Sequence, residues 1–146
     1  MVPTARHLGQ SQALLLPVAA LTFAFTVSYP ANDWITASKP SDIGPGMFLV
    51  YLSIAAVTVG RVFLVVVPWA FRRGGNGTVA LALACVGTIL APGFWTGFPP
   101  AMAAGGALLG WAGTDGDRGR ALSMCAFIVG LLGVVGNVVS YAAVFI

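Results

Sequence analysis

The sequence predicts an all-α integral membrane protein, a polytopic helical bundle with five transmembrane helices and four as the alternative. Composition carries the first argument. Of 146 residues, 58% are hydrophobic and 8% are charged, with a mean hydropathy of +0.93. A soluble domain carries about 25% charged residues, and a chain this short has too little interior to hide so much apolar side chain from water. Charge placement carries the second. Seven basic residues against four acidic ones give a net charge of +3, scattered over short segments between apolar runs. That is the signature of loops held on the cytoplasmic face. No basic stripe tracks a phosphate backbone, so nucleic acid is not an expected partner.

The first span is expected over residues 11–29. Arg6 and His7 precede an apolar stretch longer than a signal-peptide core, and no small-x-small cleavage site follows. It is therefore expected to be retained, with the N-terminus cytoplasmic. Pro17 inside it is tolerable, because bilayer helices accommodate proline better than soluble ones. The polar segment ANDWITASKPSDIGPG, Ala31 to Gly46, is expected to be a loop, with Ser41 or Asp42 capping the next helix. The second span, 47–71, ends on Pro68, Trp69, Arg72 and Arg73, an aromatic at headgroup level beside positive charge. Asn76-Gly77-Thr78 matches a glycosylation sequon but falls on the cytoplasmic face, where it has no role.

The third and fourth spans, 78–94 and 99–114, come from one long apolar run interrupted by GFWTGFPP. A single helix from Thr78 to Gly113 would be about 54 Å long, against a hydrocarbon core of about 30 Å. A turn is therefore required near Gly93–Pro100, with a proline suited to the first helical position beyond it. Arg118 and Arg120 follow, and a return through the membrane places both in the cytoplasm. The alternative, a helix lying on the outer surface, needs a polar face that residues 101–113 lack. The fifth span is 120–146. Trp95 and Tyr141 are then expected at the outer interface and Trp111 at the inner one.

From about Val79 onward the elements ALALACVGTILAPG, FPPAMAAGGALLGWAG and TDGDRGRALSMCAFIVGLLGVVG resemble a family of small, uncharacterised bacterial membrane proteins of actinobacterial type. Its members carry Gly/Ala-rich helical hairpins followed by a helix that opens with G-R-x-L. The resemblance implies the hairpin topology and no activity. Within this half, Ala82–Cys85 echoes Ala121–Cys125, and five spans would run those two helices in the same direction.

Arg61, in TVGRVFLVVV, is the residue least easily explained as packing. It lies about 16 Å along a helix from Arg72, near the bilayer midplane, where an arginine costs about 2.5–3.5 kcal/mol. The four acids Asp33, Asp42, Asp115 and Asp117 all fall in expected loops. Arg61 is left to snorkel, to bond Thr88 or Asn137 of its own bundle, or to meet a group on another subunit. Gly106, Gly110, Gly130, Gly133 and Gly136 form the second candidate set, since small residues let helices approach closely in lipid. They serve packing inside the bundle or contact with a partner or lipid.

Catalysis is not expected. The one histidine, His7, sits in the N-terminal tail, and no nucleophile–base set, carboxylate pair or metal-ligand cluster can be assembled. Cys85 and Cys125 lie in apolar runs as small hydrophobes, and no cofactor is implied. The expected function is that of a non-catalytic accessory or assembly subunit of a larger bacterial membrane complex, respiratory, transport or envelope-synthesis. It would sit in the plasma membrane with other membrane-protein subunits as partners. The rival is a small homo-oligomeric channel or transporter for an anion or polar solute, with Arg61 lining the path.

Overall fold

The structure is a computed structural model of the chain and describes residues 5–36, 44–73, 77–114 and 119–145. These are helical almost throughout. The helices are α1 (Ala5–Thr36), α2 (Pro45–Arg72), α3 (Gly77–Ile89), α4 (Phe98–Ala112) and α5 (Arg120–Phe145). Three of them, α1, α2 and α5, are long and apolar enough to cross a membrane. Their outer faces carry large apolar side chains, such as Leu21 at 71% exposure and Leu132 at 61%. The bundle interior contains small residues and a few large ones, among them Phe63 and Leu109.

α1 is longer than the expected span. It continues through Pro30 to Thr36, so the segment expected to loop from Ala31 begins as helix. Pro30 leaves the Thr26 carbonyl without its helical N–H partner. Around it the Thr22 hydroxyl donates to the Val18 carbonyl at 2.7 Å and the Thr26 hydroxyl to the Thr22 carbonyl at 2.8 Å. Such bonds let a helix bend without breaking. Asp33 is thus on a helix rather than in a loop. Ser41, Asp42, Asn76, Asp115, Asp117 and Arg118 lie outside the described residues. The cap position of α2 is Gly44, without a side-chain bond, and a proline occupies the first turn, where no N–H partner is needed.

Within α2, Arg61–Val66 is a π-helical turn, closed where the Val67 N–H donates to the Val62 carbonyl. Its cause is one residue further on. Pro68 can neither bond the Leu64 carbonyl nor pack against it, and a wider turn relieves that clash.

The turn between α3 and α4 is a 3-10 segment, Ala91–Thr96, followed by Gly97 at φ +75°. α3 thus ends at Ile89, short of the expected 94. Prolines occupy the start of α4, as its sequence requires.

Glycine contacts define how α3, α4 and α5 run. A Cβ on Gly106 would meet Ala80 and Ala84, and one on Gly87 would meet Pro99 and Ala103. Numbers that rise on one helix fall on the other, so α3 and α4 are antiparallel. Gly110 against Ser123 and Phe127, with Gly130 against Ala103 and Ala107, makes α4 and α5 antiparallel too. Gly77 against Leu122, Gly133 against Thr88 and Gly136 against Ala91 then make α3 and α5 parallel. The echoed segments around Cys85 and Cys125 do share a direction, although the packing register sets Cys85 nearer the level of Gly130.

The hairpin is shorter than its neighbours. Gly97 sits between α1 and α2, where a Cβ would come 2.7 Å from Thr26 Cγ2 and 3.5 Å from Ala55 Cα. Beyond that level α1 continues to Thr36 and α2 begins at Pro45, each about 15 Å away, while α5 runs about 13 Å past Gly136. α3 has 13 residues and α4 has 15, or about 20 and 22 Å of helix.

Candidate functional site

Arg61 is exposed on the outward side of α2. One and two turns away on the same side are Ile54, Val57, Leu64 and Val65, each between 45% and 66% exposed. The opposite side of that helix carries Thr58, Val59, Val62 and Phe63 into the bundle. Val62 fits against α4 because Gly105 has no Cβ there; a Cβ would come 2.9 Å from Val62 Cγ1. Packing of Val62 and Phe63 therefore fixes which way Arg61 points. The π-helical turn starts at Arg61 itself, and such turns are frequent at functional sites.

Arg61 bonds neither of the internal residues expected to meet it; both are held among α3, α4 and α5. The Thr88 hydroxyl lies 2.8 Å from the Ala84 carbonyl and 3.0 Å from the Val129 carbonyl, tying α3 to α5. The Asn137 side-chain amide donates to the Gly133 carbonyl at 2.7 Å and is 1% exposed. Bonding of Arg61 by either residue is thus overturned by its outward direction. At the end of α2, Arg73 stacks over the Trp69 ring at 4.5 Å, with Arg72 also exposed. Arg120 opens α5. Because α3 and α5 are parallel and α2 leads directly into α3, these arginines gather at one end of the bundle.

Comparison with protein-family models, with curated proteins and with solved structures returned no match.

The glycines are placed as plainly as Arg61. Gly106, Gly110, Gly130 and Gly133 are buried, and a Cβ on any of them would meet α3, α4 or α5 of the same chain. Gly136 is half-buried and makes an ordinary contact with Ala91. The close-approach surface they provide is occupied inside the bundle. Tyr141 is not a free interface residue either. Its ring lies 5.2 Å from Phe25 and 6.4 Å from Tyr29, joining α5 to α1. The side chain of Trp95 lies outside the described residues, and Trp111 is half-buried.

Sequence reasoning did not single out Gly97 or the orphan acceptor on Asn137. A glycine before Phe-Pro-Pro can take a left-handed backbone conformation just ahead of a right-handed helix, as Gly97 does. Nothing local in GLLGVVGNVVSY announces that the Asn137 oxygen lacks a donor.

Proposed function

We propose that the chain is a non-catalytic accessory or assembly subunit of a larger bacterial membrane complex, of the respiratory, transport or envelope-synthesis kind, and that α2 docks it there. The observation that supports this is the exposed Arg61 near the midpoint of a 28-residue apolar helix. Among the described residues no ion pair or hydrogen bond reaches its guanidinium. Beside Val57, Leu64 and Val65 it faces either lipid tails or another protein. At the bilayer centre a lipid-facing arginine costs about 2.5–3.5 kcal/mol, which an acceptor on a partner helix relieves.

In this reading the protein is multi-pass in the inner membrane, with the N-terminus, Arg72, Arg73 and Arg120 at the cytoplasmic side and Phe145 towards the outside. α1, α2 and α5 are complete spans. α3 and α4 enter from the cytoplasmic side as a hairpin of about 20 Å, within a hydrocarbon core of about 30 Å. Non-helical backbone at that depth is tolerated where protein covers it, and Gly97 is covered by Thr26 and Ala55.

Native purification tests the proposal. Stoichiometric co-isolation with larger subunits, lost in Arg61→Leu, is the expected result. Recovery of the wild type only as a homo-oligomer overturns it in favour of the small channel with Arg61 lining the path.

A further inference from the structure

We propose that the cleft between α1 and α5, floored by α4, binds a single-chain, uncharged lipid that carries a hydroxyl donor. A cavity of about 510 Å³ lies there, within reach of Leu14, Phe25, Pro100, Trp111, Phe127 and Asn137. The contact of Gly97 with Thr26 and of Gly130 with Ala103 and Ala107 sets the levels. Phe25, Pro100 and Asn137 are at one end, and Leu14 and Trp111 are at the other. From Pro100 to Trp111 the floor rises about 16 Å, close to half of a hydrocarbon core of about 30 Å. The rings of Phe25, Tyr29 and Tyr141 bridge α1 and α5 beyond the Asn137 end.

The donor requirement comes from Asn137. Its Nδ2 donates to the Gly133 carbonyl, an atom that can only accept, so the orientation of the amide is fixed. Its Oδ1 is buried and has no donor among the described residues. The neighbouring Thr22 hydroxyl already donates to the Val18 carbonyl. An unpartnered buried acceptor is destabilising until a donor reaches it. Because Asn137 is 1% exposed and lines the cavity, that donor arrives from within the cleft after a small displacement of the flanking side chains.

Size and depth select the class of ligand. The cleft of about 510 Å³ opens on the outer face of the bundle past the exposed Leu14, Leu21 and Val138, which gives a single apolar chain from the surrounding lipid direct entry. Among the described residues no charged one lines the cavity, and α5 continues about 12 Å beyond Asn137. An ionic headgroup at that level would lose its hydration without compensation. A neutral hydroxyl on one apolar chain meets both conditions. The inference rests on the chain lying in a bilayer and not on Arg61 having a partner.

The test uses the full chain in phosphatidylcholine nanodiscs with a diazirine-bearing hexadecanol, its crosslinks mapped by mass spectrometry. Labelling is expected on the cleft faces of α1, α4 and α5. Hexadecanol should compete up to about ten-fold better than hexadecyl methyl ether, which matches it in shape but lacks the donor. Asn137→Leu should keep the labelling and erase that preference, and Ala104→Phe, which fills the cleft, should abolish labelling. Equal competition by alcohol and ether on the wild type overturns the proposal. So does labelling spread over the outer face of α5 around Leu132, the mark of annular lipid only.

Discussion

Gly106 and Ala84 touch backbone to backbone: a Cβ on Gly106 would lie 2.5 Å from the Ala84 nitrogen and 2.8 Å from its Cα. Neither atom belongs to a side chain that can rotate away. α3 and α4 approach this closely because the contact needs no side chain, and dispersion between backbones then holds the pair where no hydrophobic drive exists.

Gly106→Ala is expected to force the hairpin apart and destabilise the protein by about 1–3 kcal/mol, the range for overpacking. Gly60, within α2, has open space at its Cβ position. Gly60→Ala is expected to be neutral or to stabilise by up to about 1 kcal/mol. Reversible unfolding in mixed micelles measures both. Equal destabilisation by the two would refute the close-approach account.

Gly97 combines two constraints, φ +75° and contact with Thr26 Cγ2. Gly97→Ala should cost about 1–2 kcal/mol from backbone conformation alone, plus the clash. Thr26→Ser removes Cγ2 and keeps the hydroxyl that donates to Thr22. The double variant should therefore recover the clash component and not the backbone one. A double-mutant cycle with no coupling would show that the turn does not seat against α1.

Sidedness and depth are tested with single cysteines in a Cys85→Ala, Cys125→Ala background. An impermeant maleimide added outside should label Gly46→Cys readily. Thr96→Cys is exposed on the turn but lies about 15 Å below the end of α2, and should label much more slowly. A reporter fused after Ile146 should read outside. An inside signal would reverse the direction assigned to α5.

Arg61→Leu is expected to leave the unfolding midpoint of the isolated protein unchanged or slightly raised. No described partner is lost, and an apolar side chain replaces a charge in a lipid-facing position. If the midpoint instead falls by several degrees, Arg61 holds its own bundle together and the docking role fails.

Much of this was legible in the residues. The apolar runs, Pro-Pro at the start of α4 and the charge at Arg61 are local facts, and they carry the all-α class, the hairpin and the candidate residue. The length of α1 is not legible, because the polar composition of Ala31–Gly46 predicts a loop from Ala31 onward, whereas α1 runs to Thr36. Helix continues there through Pro30, beside the threonine hydroxyl bonds to the preceding carbonyls.

By itself the sequence determined that this chain is helical and apolar enough for lipid, where it reverses, and which charge stands out. Those properties follow from side-chain transfer energies and from the backbone limits of glycine and proline, which act within a few residues. Only the tertiary structure decided that the glycines face their own bundle, that Arg61 points outward, that the α3–α4 turn stops beneath the ends of its neighbours, and that Asn137 keeps an oxygen without a donor. Each of these depends on which helix lies opposite, and that is set by the packing of residues far apart in the chain, such as Gly87 with Ala103 and Val62 with Gly105.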